Sequence, residues 1–92
     1  MTPAKAYAHR FSPQAATDLG ETLPAAVAFA AHEFIVAVVV VNPYRVGTPL
    51  QTLPEGLLSA RRDTYRVIYQ VDDKSQMVTV ERVIHRRDVY RS

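Results

Sequence analysis

The chain has 92 residues, of which 48% are hydrophobic and 22% are charged, and its formal net charge is +2. This length and composition predict a single folded domain over residues 1–92 and exclude a disordered segment. Because the chain has no cysteine, disulfide bridges and thiolate metal sites are excluded as well. The first residues, MTPAKAYAHRF, lack the apolar segment of a secretory signal, so we expect a cytoplasmic protein.

The first predicted elements are a short strand and a helix. Residues 6–11 alternate loosely between apolar and polar, which favours a β-strand. Ser12 and Pro13 then have the form of a helix N-cap followed by proline at the first helical position. We expect this helix to run through Leu19 and to end at Gly20, a residue type common at helix C-termini.

The next stretch, residues 25–41, is strongly apolar. It has 17 residues, contains His32 and Glu33, and is closed by Asn42-Pro43. A membrane span needs about 20 uninterrupted apolar residues, so we expect no membrane partner. We predict instead a buried helix that forms a hairpin with the preceding one, although its β-branched end has low helix propensity. Its core positions, at helical spacing, are Phe29, Phe34, Ile35, Val38 and Val41.

Residues 43–56 are predicted to form a loop, because they contain three prolines and two glycines. Three strands joined by polar turns follow it, at Leu57–Arg61, Tyr65–Val71 and Met77–Ile84. On the third of these strands we expect Val78, Val80 and Ile84 to share one face. The predicted fold class is α+β: an N-terminal strand and a two-helix hairpin packed on one face of a mostly antiparallel sheet that ends in a three-strand meander.

Basic residues concentrate in the last third of the chain. Residues 1–56 carry three Lys or Arg against four acids, whereas residues 57–92 carry eight against five, and seven of those eight are arginine. Arginine suits planar recognition of phosphate, which points to a polyanionic partner, although a solvated charged surface explains the same counts.

One face of the predicted sheet carries several of these arginines. If the helices cover one face, period-two alternation leaves Arg66, Ile68 and Gln70 on the other face of the second meander strand. Ser59 and Arg61 belong to that face on the first meander strand. We expect the tail that begins at His85 to leave the third strand near the same face, which would bring three strands' basic groups together.

Several common chemistries have no motif in this sequence. It contains no glycine-rich nucleotide loop and no HExxH, its three histidines are scattered, and no carboxylate pair is suggested, so we expect no metal and no cofactor. Metal-free phosphate chemistry remains. Cleavage of RNA by its own 2′-hydroxyl needs a base, cations and an acid. Arginines can supply the charge, and His85 and Tyr90 are the candidates for proton transfer.

Two blocks of the sequence, SARRDTYRVIYQVDD and VTVERVIHRRDVYR, resemble the RelE/ParE toxin superfamily of bacterial toxin–antitoxin systems, and its RelE-like mRNA interferase branch in particular. The loop NPYRVGTPL and the following LPEGLLSARR resemble actinobacterial members. The resemblance implies a ribosome-dependent endoribonuclease that cuts mRNA in the A site and arrests translation and growth. It also implies a cognate antitoxin that neutralises the toxin and carries the complex to operator DNA.

The resemblance also implies roles for individual residues. The family's catalytic arginine after a tyrosine on the second meander strand matches Arg66, and its C-terminal tyrosine matches Tyr90. Its upstream arginine on the first meander strand matches Arg61, and its arginine at the end of the last strand matches Arg86, or Arg87 one place on. The family's lysines on the first meander strand have no match, since the corresponding positions fall at about Leu57 and Ser59. Either His85 replaces the lysine as the base or the protein cuts slowly. The predicted phosphate-binding residues are Arg62, Arg82, Arg87 and Arg91.

Two alternatives to nuclease activity stay open at this point. The ParE branch inhibits DNA gyrase and has no nuclease site, and its members often end in a sequence close to His85-Arg86-Arg87-Asp88. The unmatched lysines are also compatible with a catalytically degenerate domain that only binds its antitoxin.

Overall fold

The computed structural model describes residues 6–51 and 55–85, in which helices pack on one face of a five-stranded sheet. The strand order is β1-β5-β4-β3-β2; β1 runs parallel to β5 and the other pairs are antiparallel. This arrangement confirms the predicted α+β fold. In chain order the elements are β1 (Ala8–Phe11), α1 (Pro13–Thr17), α2 (Ala25–Phe34), α3 (Pro43–Val46), β2 (Thr48–Pro49), β3 (Leu58–Arg62), β4 (Tyr65–Asp72) and β5 (Met77–His85).

The start of α1 is as predicted, but its end is not. The Ser12 side chain accepts the Ala15 N–H at 3.0 Å, which makes Ser12 the N-cap ahead of Pro13. Helical structure then continues past Gly20 as a π-helical segment, Asp18–Thr22, so the predicted end was wrong. It stops at Leu23, whose extended backbone is the conformation favoured before a proline.

The helix predicted for residues 25–41 forms, but it buries only part of its apolar surface. A π-helical segment, Ile35–Val39, continues α2, and Ile35 and Val39 are fully buried. Phe29 is 69% exposed and Val41 is 37% exposed, so their assignment to the core was wrong. Phe29 precedes the buried Ala31 by two residues, about 200° around the helix, and therefore lies on the outer side. No helix in the described ranges is long and apolar enough to span a membrane.

The predicted loop of residues 43–56 contains two short elements. α3 follows Asn42 directly, and β2 pairs with β3 so that Thr48 lies opposite Ser59 and Pro49 opposite Leu58. The buried Tyr69 hydroxyl donates to the Pro43 carbonyl and occupies the position that a Cβ on Gly47 would take. Glycine at position 47 therefore lets α3 and β2 approach the sheet.

A β-bulge changes which residues of β5 face the helices. Ile68 lies opposite Arg82 but Tyr69 lies opposite Val80, which leaves Glu81 as an extra residue on β5. Beyond the bulge the alternation is shifted by one residue, so Val83 is buried and Ile84 faces the other side. The prediction that Ile84 shares a face with Val78 and Val80 was wrong. The largest fully buried apolar side chains are Ile35, Val39, Val67, Tyr69, Val78, Val80 and Val83.

Candidate functional site

Two arginines face each other on the side of the sheet that the helices leave open. Arg61 on β3 lies directly opposite Arg66 on β4, and Arg66 lies opposite Ile84 on β5. Their neighbours Ala60 and Val67 are buried against the helices, so alternation directs both arginines to the open face. Within the described residues, neither arginine has a hydrogen-bond or ion-pair partner.

This pairing favours an anion. Like charges directly opposite one another on adjacent strands repel and destabilise a sheet. An anion placed between Arg61 and Arg66 would turn that repulsion into two attractive contacts. Each guanidinium presents its N–H donors in a planar fork that matches phosphate oxygens in a bidentate way.

The arginine pair lies at the edge of an open cleft of about 420 Å³. β2 and the end of α3 form one wall of this cleft, and β3 and β4 form its floor. The sequence predicts only a loop over residues 43–56 and does not indicate this wall. The one local signal for it is the pair of apolar residues Val46 and Leu50 on either side of Thr48-Pro49. The residues that line the cleft are Val46, Thr48, Pro49, Leu50, Ser59, Arg61 and Arg66.

Two other arginines predicted to bind phosphate are held by partners. The Arg62 guanidinium lies 5.2 Å from the centre of the Phe34 ring, on the helix-covered face. Arg82 forms an ion pair with Asp18, with 2.9 Å between Nε and Oδ2, and its side chain is 42% exposed. Their binding of phosphate stays a prediction, but each has a structural contact that Arg61 and Arg66 lack in the described part of the chain.

Asp18 is a buried residue that the sequence analysis did not single out. Its side chain is 2% exposed, and Oδ2 also accepts the backbone N–H of Val83 at 2.9 Å. β1 pairs with β5 only as far as Val80, so the part of β5 beyond it is an edge on that side. The Asp18 carboxylate and the Ser12 hydroxyl, which donates to the Glu81 carbonyl at 2.8 Å, satisfy backbone groups of this edge.

The predicted proton-transfer residue His85 does not share the face of the arginine pair. It lies opposite Tyr65, whose hydroxyl donates to the Ala30 carbonyl of α2, so His85 belongs to the helix-covered side. Its Nε2 is 3.1 Å from the Thr64 hydroxyl. The tail is expected to leave β5 near the open face, but the bulge puts Ile84 there, so His85 itself does not meet that expectation. Outside the described residues lie Arg86, Arg87, Tyr90 and Arg91, so their roles stay predictions.

A second polar cluster lies at the opposite end of β4. The hydroxyls of Tyr7 and Tyr44 donate to the two oxygens of Asp73, at 2.7 and 2.6 Å. Both hydrogen bonds lower the pKa of Asp73, and the one from Tyr44 has the larger effect. The bond between Tyr44 and Asp73 also raises the pKa of Tyr44 to about 12. We call these two hydrogen bonds to Asp73 the Asp73 clamp. Because Tyr44 belongs to α3, the clamp holds in place the element that leads into the cleft wall. In residues 6–51 and 55–85, no three His, Asp or Glu side chains are grouped so as to hold a metal ion.

Comparison with protein families identifies one model that covers most of the chain. It is described as the ParE toxin of the type II toxin–antitoxin system parDE, and it matches residues 9–90. Toxin RelG of Mycobacterium tuberculosis is 42% identical over 85 residues, which are 92% of this chain and 97% of that protein. Toxin RelE of the same organism is 43% identical over 77 residues, which are 84% of this chain and 78% of that protein.

Solved structures show the same fold. A chain of the RelBE2 toxin–antitoxin complex from M. tuberculosis is 40% identical and superposes with a TM-score of 0.83, covering 89% of this chain and 100% of that one. The isolated E. coli RelE toxin is 23% identical with a TM-score of 0.69, covering 87% of this chain and 84% of that one. The latter likeness concerns the fold alone.

Proposed function

The chain belongs to the ParE toxin family of type II toxin–antitoxin systems, and from this premise we propose that it is a ribosome-dependent endoribonuclease of the RelE kind. It would cleave translated mRNA in the ribosomal A site without a metal ion and so arrest translation and growth. Its similarity to the RelG and RelE toxins along most of its length supports this choice within the family.

The observation that carries the proposal is the pair of facing arginines, whose side chains have no hydrogen-bond or ion-pair partner among residues 6–51 and 55–85. In the reaction, the 2′-oxygen of a nucleotide attacks the adjacent phosphorus and the bond to the 5′-oxygen breaks, leaving a 2′,3′-cyclic phosphate. Negative charge builds up on the non-bridging oxygens as the phosphorane forms. Arg61 and Arg66 can donate to these oxygens from two sides, and such fixed donors are the largest single source of catalysis in many enzymes.

The proton transfers need other side chains. Arginine is a poor base at neutral pH, and the family's lysine positions hold Leu57 and Ser59. We assign proton donation to the leaving 5′-oxygen to Tyr90. His85 is the candidate for removing the 2′-hydroxyl proton, and because it lies on the helix-covered side of β5, this role requires its side chain to leave Thr64 and turn to the open face. Arg86 would add positive charge to the phosphorane. Arg62, Arg82, Arg87 and Arg91 would attract the RNA backbone more generally.

The proposed partners follow from the same family. Solved structures similar to this chain include toxin–antitoxin complexes from M. tuberculosis, E. coli and Pyrococcus horikoshii. We propose that a cognate antitoxin binds and neutralises this toxin and that the complex binds operator DNA through the antitoxin. The site of action would be the cytoplasm, where ribosomes and mRNA meet.

A second function, inhibition of DNA gyrase, is favoured by one specific observation. The family model that matches is the ParE toxin model, and the ParE branch acts on gyrase. Leu57 and Ser59 in place of lysines agree with a toxin that has no nuclease site. This alternative predicts inhibition of supercoiling and no cut in any mRNA.

The test is primer extension on a reporter mRNA translated in vitro, with and without ribosomes. We expect cuts that require ribosomes and that fall by about 100- to 1,000-fold in Arg66→Ala, the usual cost of removing one donor to a developing oxyanion. The matched control is Arg10→Ala, which removes the same charge from β1, where Arg10 donates to Thr79 at 3.1 Å. Undiminished cleavage by a folded Arg66→Ala protein would contradict the role of this arginine. No cleavage by folded wild-type protein would favour gyrase inhibition or a degenerate domain, which a supercoiling assay separates.

A further inference from the structure

We propose that the cleft beside Arg61 and Arg66 is a subsite for a single nucleotide. Its phosphate would bind the two guanidinium groups, and its base would lie against the wall formed by Val46, Pro49 and Leu50. This inference rests on the proposed function, because it takes RNA as the ligand of the arginine pair.

The lining of the cleft has three chemical characters, and a nucleotide has the same three. Arg61 and Arg66 supply positive charge, and the wall residues supply an aliphatic surface. Between them lie two hydroxyls, on Thr48 and Ser59, which are opposite one another across β2 and β3. The phosphate would contact the arginines, the ribose would hydrogen-bond to the two hydroxyls, and the flat base would lie on the aliphatic wall.

The spacing fits one nucleotide. Ser59 lies two residues from Arg61 on the same face of β3, about 7 Å along the strand, and Thr48 is one strand further out, about 5 Å across the sheet. The cleft volume of about 420 Å³ is within the range of small-molecule sites. A bare phosphate would occupy only the arginine end and leave the wall in contact with water.

The wall is fixed to the sheet before any ligand arrives. The Leu50 N–H donates to the Leu57 carbonyl at 2.9 Å, and the Tyr69 hydroxyl donates to the Pro43 carbonyl at the start of α3. The Tyr44 hydroxyl ties α3 to Asp73. A surface that is already ordered loses little conformational entropy on binding, so its apolar contacts add to affinity.

The experiment compares two probes on the full chain by calorimetry or by NMR titration: adenosine 3′,5′-bisphosphate and an analogue with the same two phosphates but no base. Wild-type protein should bind the adenosine probe about fivefold more tightly, the gain expected when roughly 40 Å² of apolar surface leaves water. Val46→Ala/Leu50→Ala should lose this preference while its affinity for the baseless probe stays the same.

Two further variants make the result interpretable. Phe29→Ala removes an exposed apolar side chain from α2 and should keep the preference for the base. Thr48→Val keeps the shape of the wall, removes one hydroxyl and should weaken the binding of both probes by the same factor. If the double variant does not fold, Leu50→Ser alone replaces it, and a preference as strong as that of the wild type would overturn the proposal.

The outcomes separate this inference from the function on which it rests. If wild type binds both probes equally and Arg66→Ala binds neither, the phosphate site stands and the base subsite is wrong. If wild-type protein binds neither probe nor inorganic phosphate, the arginine pair is not a phosphate site, and the nuclease proposal falls together with the subsite.

Discussion

Arg61 and Arg66 on the open face differ from Arg62 and Arg82 in what surrounds each guanidinium. Arg82 is paired with the buried Asp18 and Arg62 lies over the Phe34 ring, whereas Arg61 and Arg66 face each other across two strands without a protein partner in the described residues. A partnered arginine contributes to folding. A pair of unpartnered arginines costs folding energy through repulsion, and a ligand can remove that cost. The comparison therefore separates arginines that hold the domain together from arginines that are free to bind.

The largest effect is expected when Asp18, the partner of Arg82, is removed. Unfolding of that variant is compared with unfolding after removal of the unpartnered Arg66. Asp18→Ala should lower the free energy of unfolding by about 2 kcal/mol, because the N–H of Val83 loses its acceptor and Arg82 loses its counter-ion. The full cost of breaking a buried pair does not apply, since the Arg82 side chain is 42% exposed. Arg66→Ala should leave the free energy of unfolding within about 0.5 kcal/mol or raise it.

Urea unfolding of the two variants and of Asp18→Asn would check this. The asparagine keeps an acceptor for the Val83 N–H but carries no charge, so we expect it to fall between Asp18→Ala and the wild type. If Arg66→Ala were as destabilising as Asp18→Ala, the division between structural and binding arginines would be wrong.

An effect of similar size is expected at the wall of the cleft, which belongs to the proposed binding site but depends on structural contacts. Gly47→Ala would overlap the Tyr69 hydroxyl and should cost about 1–3 kcal/mol. Gly20→Ala is the matched control: its Cβ would meet nothing within 4 Å, so it should be neutral or stabilise by up to about 1 kcal/mol. Thermal unfolding measures both.

The cause of the Gly47→Ala effect can be isolated in a double variant. Tyr69→Phe removes the overlapping hydroxyl, so Gly47→Ala should cost less in a Tyr69→Phe background than in the wild type. Equal costs in the two backgrounds would show that the tyrosine hydroxyl is not what excludes a side chain at position 47.

The difference between the two classes of arginine could not be read from the sequence. The alternation around Arg61 and Arg66 predicted both the strands and their open face, since period-two patterns depend on neighbouring residues alone. The partner of Arg82 is 64 positions away in the chain, and no local pattern points to it. The bulge at Glu81 was hidden for a related reason: Val83 and Ile84 are both apolar, so either could continue the buried face.

The helical half was harder to predict because its composition offers little contrast. Nearly every residue of 25–41 is apolar, so Phe29 at an exposed position cannot be told from Phe34 at a buried one by hydrophobic spacing. β2 has only two residues and one of them is proline, which is a weak strand signal. The wall of the cleft was therefore missed even though its arginine floor was predicted.

The smallest expected effect concerns the Asp73 clamp. A tyrosine hydroxyl that donates to a carboxylate makes stability depend on pH, whereas one that donates to a carbonyl does not. The hydrogen bonds from Tyr44 and Tyr7 lower the pKa of Asp73 below its ordinary value of 3.8, so the unfolded chain takes up this proton at a higher pH than the folded one. Their contribution to stability is present above pH 3.8 and is lost as the pH falls through the lowered value.

Tyr44→Phe should accordingly destabilise the protein at pH 6, and this difference from the wild type should shrink in acid. Tyr69 donates to the Pro43 carbonyl, which does not titrate, so the cost of Tyr69→Phe should be the same at both pH values. Urea unfolding of wild type and both variants at pH 6 and below pH 3.8 measures these costs. If the cost of Tyr44→Phe is the same at both pH values, the charge of Asp73 is not what holds α3 in place.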